Sequence, residues 1–163
     1  MNPTLGKKEI SRERQAIVDA MECCPLFQDW DSERIDKFSH FLKLEQYGIG
    51  QIVFEEGEPG NFMGVVASGK LSVRKFNSSD AQIELAKIYP ARIFGEIALL
   101  DHERRSATVV ALEDSSVLIL TSLSLERLAE EVPPLALAFV KKIAIYLSKR
   151  MRTADGRLVD FLC

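Results

Sequence analysis

Residues 94–112 read FGEIALLDHERRSATVVAL, two apolar runs with polar groups set at their edges. Glu96 lies inside the first run and the pair Arg104–Arg105 abuts the second. A glycine ahead of Glu96 lets the backbone turn tightly, and EIALL has the composition of one helical turn following a strand. The first turn of a helix presents backbone N–H groups without intrahelical partners, which favour an anion. Arg105 follows Glu96 by nine residues, so a short loop, LDHER, brings its guanidinium back toward the same turn. An arginine fork with helix-start amides and the Ser106 hydroxyl suits a phosphate. A carboxylate that only accepts hydrogen bonds suits a sugar hydroxyl. Phosphate and sugar together mean a nucleotide.

Outward from this stretch, the texture from about residue 44 to residue 121 is that of short strands punctuated by Gly, Asn, Asp and Pro. Val65, Val66, Leu71, Val73, Ile83, Leu85 and Ile88 supply inward positions, and GEPGN, ASGK and NSSD supply turns. Many short strands at this spacing predict an antiparallel β-roll or jelly roll rather than a parallel sheet. Ahead of it, EISRERQAIVDAMECC places Ile10, Ile17, Ala20 and Met21 near one helical face. DSERIDKFSHFLKL follows, with Asp31 as cap and Ile35, Phe38, Phe41 and Leu42 at helical spacing. After Thr121 the helical period returns, in SLSLERLAEE and then in a longer helix with Pro134 in its first turn. The expected class is therefore α+β, mainly β, with N-terminal helices and a C-terminal helix pair around the roll. The expected divisions are an N-terminal helical segment 1–23, a domain 24–152 with C-terminal helices over about 122–155, and a tail 153–163.

The chain of 163 residues is 47% hydrophobic, enough for one compact domain with a substantial core. Twenty-one basic side chains against 24 acidic ones leave a net charge of −3, with no whole-chain attraction to nucleic acid or an anionic membrane. The polar start MNPTLGKKEISRERQ predicts neither a signal peptide nor a membrane anchor. Cys23, Cys24 and Cys163 form no disulfide framework and no CxxC pair, which predicts a reduced, cytoplasmic setting. Two histidines, His40 and His102, are too few for the metal centre of a small β-roll enzyme. No enzyme, metal or cofactor is expected.

The ordered pattern F-G-E-I-A-L-L followed by R-S-A-T-V resembles the phosphate-binding cassette of cyclic nucleotide-binding domains, the regulatory modules of catabolite-activator-type transcription factors and cyclic-nucleotide-dependent kinases. The likeness runs from about Cys24 to Met151, through EEGEPGNFMGVVASGKLSV upstream and the helix pair downstream. It implies Arg105 as the phosphate ligand and Glu96 as acceptor for the ribose 2′-hydroxyl. It also implies that Gly95, Ile97 and Ala98 give backbone contacts, and that Ser106 and Ala107 complete the cradle. Val73, Leu85 and Phe94 would form apolar walls, with Arg150 and Met151 at the helical lid. The implied function is a non-catalytic sensor of cyclic AMP, or else cyclic GMP, that switches an effector protein through the lid helix. The helix-turn-helix of the transcription factors does not follow Met151, so direct DNA binding is not expected. The chain departs from the family at Asn61, at Ala91 and Arg92 where Gly-Asp is common, and at Arg104 where Pro is common.

Plainer readings stand beside these. Glu96 and Arg105 could form a structural salt bridge in an interaction or scaffold protein that kept the fold and binds no nucleotide. Arg104 reads as exposed, near Glu103 or Asp101, and both histidines as bystanders. Cys23 and Cys24 read as one surface and one packed thiol. Val140, Ile143, Leu147 and Met151 read as a stripe packed on the roll, or as the seam of a homodimer.

Overall fold

A computed structural model describes residues 3–76 and 81–162, with side-chain surroundings for 12–76 and 81–154. The chain begins with helix α1 (Pro3–Cys23), a 3₁₀ turn (Pro25–Phe27) and helix α2 (Ser32–Ser39). Asp31 caps α2 as expected, its carboxylate accepting from the Arg34 amide at 2.8 Å. Strands β1 (Lys43–Tyr47), β2 (Ile52–Phe54), β3 (Phe62–Ser68), β4 (Leu71–Phe76), β5 (Gln82–Ile88) and β6 (Ile93–Phe94) follow. Then come helix α3 (Glu96–Asp101), strands β7 (Thr108–Ala111) and β8 (Ser115–Thr121), and helices α4 (Ser122–Glu131) and α5 (Pro133–Leu162). The NSSD turn and Cys163 lie outside the described residues, as does the side chain of Ile10.

The strands form two antiparallel sheets, ordered β1-β8-β3-β6 and β2-β7-β4-β5, with helices on the N- and C-terminal sides. Alternation along β3 and β8 builds two cores from one sheet. Met63, Val65, Leu118 and Leu120 point toward the helices, where they meet Ile17, Met21, Phe38, Leu128, Phe139 and Ile143. Val66, Val117 and Ile119 point the other way, against Phe54, Leu71, Phe94 and Val109 of the space between the sheets. A strand covered on both faces explains the unbroken apolar run SVLILT.

The edge strand β5 departs from the sequence reading. It pairs only with β4, and Ile83 and Leu85 are 45% and 58% exposed rather than inward. Residues 82–87 are exposed on both faces of this edge, so the alternation there does not mark burial. The α5 stripe also splits. Ile143 is fully buried and Leu147 packs partly on the core, whereas Val140 and Met151 are exposed.

The helices are pinned together by rings. Trp30 stands edge-on to Phe38 at 5.2 Å, and Phe38 packs on Phe139 of α5 at 4.9 Å. This fixes the first turns of α5 to α2. The later turns pass over the opening between β5, β6 and α3.

Candidate functional site

The opening leads into a cavity of about 520 Å³, with walls from β4, β5, β6, α3, the segment 104–107 and α5. Phe94 enters it from a closely packed strand: β3 places Gly64 opposite Phe94, and a Cβ at Gly64 would stand 2.4 Å from the ring. Gly95 then turns the chain into α3 with φ at 70°, the left-handed region that favours glycine. A side chain there would also meet Nη1 of Arg105 at 2.7 Å.

Arg105 is held by its backbone to the turn at Gly57 and Glu58, its amide donating to the Glu58 carbonyl at 2.8 Å and its carbonyl accepting from Gly57 at 2.9 Å. Its side chain is only 3% exposed. The guanidinium lies 3.9 Å from the centre of the Phe54 ring and 4.4 Å from that of Phe62. Nη1 donates to the Gly95 carbonyl at 3.3 Å. Nε and Nη2 are buried with no hydrogen-bond partner. Burial pulls the guanidinium pKa below its ordinary value, and the charge of Glu58 pulls it back up.

Glu96, the first residue of α3, is 2% exposed, and it does not pair with Arg105. Its carboxylate accepts from Nη1 of Arg150 on α5. The bland reading of a Glu96–Arg105 bridge is therefore wrong in its partner: Glu96 is tied to the lid helix, and Arg105 is left with free donors.

The other expected contacts sort clearly. Phe94, Gly95, Ile97, Ala98, Ser106, Ala107 and Val73 line the cavity with Glu96 and Arg105. Leu85 does not; its neighbour Ala86, paired in register with Val73, takes the wall position. Met151 is 68% exposed and also absent from the lining. Tyr146 and Arg150 occupy the lid, with Arg150 5.7 Å from the Tyr146 ring. Burial pushes the Tyr146 phenol up, and the charge of Glu96 adds to that. The sequence carried a signal for Tyr146: it sits one helical turn before Arg150, on the same face. Arg104 is exposed as read, but it donates to the Gly57 carbonyl at 2.6 Å and reaches the cavity rim. Lys87, Tyr89 and Arg92 line the cavity as well and had no assigned place.

Elsewhere, Cys24 is buried and Cys23 exposed, and burial pushes the Cys24 thiol up. His40 contacts Arg14, and exposed His102 ends α3 at φ 57°. No group of three metal-ligating side chains gathers among the described residues. No described helix is long and apolar enough to cross a membrane.

By sequence, residues 44–132 match the cyclic nucleotide-binding domain, more than half of the chain. The chain belongs to that family. This cyclic nucleotide-binding domain is 32% identical over 138 residues to the cyclic AMP receptor protein of Thermus thermophilus, a match covering 85% of this chain and 62% of the relative. The chain thus spans less than two thirds of that relative's length. The regulatory domain of Toxoplasma gondii PKA, solved with cAMP, superposes with a TM-score of 0.70 at 25% identity, over 86% of this chain and 53% of that one. A cyclic nucleotide-binding domain from Methylobacillus flagellatus shares the fold at TM-score 0.78 and 22% identity, covering 91% and 83% of the two chains.

Proposed function

We propose that this chain is a sensor that binds a 3′,5′-cyclic nucleotide, cyclic AMP in preference to cyclic GMP, and reports it through α5 without catalysing a reaction. The observation that carries this reading is the buried Arg105 guanidinium, with two donor nitrogens left unpartnered, in the lining of a cavity. A donor left unmade in the interior costs about 1–3 kcal/mol, and a phosphate placed against it recovers that cost. In this reading the two sheets are the walls of the β-roll. Arg105 and Ser106 take the cyclic phosphate, with the backbone at Gly95, Ile97 and Ala98 beside it. Glu96, which keeps lone pairs beyond the Arg150 contact, accepts the ribose hydroxyl. Val73, Ala86 and Phe94 flank the sugar and base, and Tyr146 closes over them from α5.

The Glu96–Arg150 pair gives the switch its physical content. A ligand hydroxyl arriving at Glu96 changes what Arg150 is bound to, and Arg150 belongs to the helix that would signal. The two states of α5 then differ in nucleotide affinity, which is what coupling requires. The partner in this reading is an effector protein. A homodimer along α5 would use Leu137, Val140, Ala144, Leu147 and Met151, whose three-and-four spacing suits a helix seam. Ile143 is excluded from that seam by its burial.

Calorimetry with cyclic AMP and cyclic GMP tests the reading. Micromolar or tighter binding to the native chain, weakened at least about 100-fold in Arg105→Ala, is expected from removal of a desolvated charge contact. Absence of binding to either at millimolar concentration in a folded sample would sink it and favour the scaffold reading. A solution mass decides the dimer.

A further inference from the structure

A second cavity, of about 310 Å³, adjoins the first and shares Arg92, Ile93 and Tyr146 with it. Its other walls come from the 3₁₀ turn and from α5, where Lys142, Ile145, Tyr146 and Lys149 stand on one helical face. Its lining combines buried Leu26 and Ile93 and exposed Pro25 and Ile145 with the cations Arg92, Lys142 and Lys149.

The charges of the two cavities are unbalanced. Lys87, Arg92, Arg104, Arg105 and Arg150 line the first, and Glu96 is the single carboxylate among its described lining residues. In the second, Arg92, Lys142 and Lys149 face one carboxylate, Asp29. Internal partners account for part of the excess. Lys87 pairs with Glu84 at 3.6 Å, Arg150 with Glu96, and Lys142 with Asp29, while Arg104 donates to a carbonyl. Arg105, Arg92 and Lys149 remain without an ion-pair partner among the described residues. Arg105 is in the first cavity, Arg92 on the shared wall and Lys149 in the second.

A 3′,5′-cyclic mononucleotide brings a single negative charge, which Arg105 matches. We propose that the site is built for a nucleotide carrying a second phosphate, with the first phosphate at Arg105 and the second between Arg92 and Lys149. This rests on the nucleotide-binding reading above and extends it. Tyr146, bordering both cavities, is the hinge point that such a ligand passes. A cyclic dinucleotide and a linear nucleoside bisphosphate share this chemistry.

The test is calorimetry at fixed salt with cyclic AMP, cyclic GMP, cyclic di-AMP, cyclic di-GMP and adenosine 3′,5′-bisphosphate, on the native chain and on Lys149→Ala. Lys149 is exposed and lines only the second cavity, so its loss spares the fold and the mononucleotide contacts. One of the doubly phosphorylated ligands is expected to bind at least tenfold more tightly than either mononucleotide, and Lys149→Ala to remove that preference alone. The ligand that wins identifies the source. A smaller preference supports the proposal only if Lys149→Ala abolishes it. Mononucleotides binding as tightly as every doubly phosphorylated ligand, or Lys149→Ala weakening both classes alike, overturns the second subsite and leaves the sensor intact. Binding of no nucleotide overturns both.

Discussion

Arg105 concentrates the tension between folding and function in one side chain. Its guanidinium is stacked on two phenylalanines and leaves two buried donor nitrogens unpaired, so without ligand it is a net burden on the fold. Arg105→Met keeps the packing volume and removes the charge. The unligated variant is expected to gain about 1–2 kcal/mol in chemical denaturation while losing nucleotide binding. Ala91 shows the same kind of cost in the backbone. It adopts φ 65°, a left-handed conformation costing about 1 kcal/mol more for alanine than for glycine. Its amide donates to the Val66 carbonyl at 2.8 Å, which holds it there. Ala91→Gly is therefore expected to stabilise the protein by up to about 1 kcal/mol, read as a raised denaturation midpoint. At this scale the sequence was most legible where chemistry is unusual. A carboxylate and a guanidinium beside apolar runs marked Glu96 and Arg105, whereas Tyr146 read as one more residue of an amphipathic helix and Arg92 only as a departure from the family pattern.

At the scale of elements, α5 is the decisive piece, because it touches the core, both cavities and solvent along different lines of one helix. Helical spacing in the sequence located the element but not which line faced which neighbour. Ile143 and Met151 belong to one apolar stripe on paper and to opposite environments in the fold. The edge strand β5 misled for the complementary reason: alternation predicts a buried face only when another layer lies over it, and Ile83 and Leu85 are exposed. The helical layer is fastened by two exposed ion pairs, Asp29 with Lys142 and Asp36 with Arg14 at 2.8 Å. Each cation, through a hydrogen bond, holds its carboxyl below the usual range. A depressed folded pKa contributes stability above the unfolded value, about 3.9, and that contribution disappears as pH falls through the folded value. The double variant Asp29→Asn, Asp36→Asn is expected to lose less thermal stability than the native chain between about pH 5 and pH 3. Equal losses would remove these pairs from the acid response.

For the molecule as a whole, the run of short strands and the two flanking helical regions were readable because each rests on local patterns of period 2 or 3.6. The pairing of strands into two sheets, with β8 covered on both faces, depends on contacts between distant segments that no local pattern encodes. The cavity arises from those contacts, since β6, β4 and α5 meet only in three dimensions. One consequence concerns the lifetime of the protein in a cell. A fold that carries an unpaired buried cation is less stable empty than filled. A ligand at about 100 times its dissociation constant adds about 2.7 kcal/mol. Differences of about 1–2 kcal/mol change steady-state abundance several-fold through proteolysis of the unfolded fraction. The amount of this protein is therefore expected to follow the concentration of its nucleotide, which pulse-chase labelling with ligand synthesis switched on or off would measure. Arg105→Met should turn over slowly in both conditions. The arginine proposed to recognise the signal would then also set how long the receiver survives in its absence.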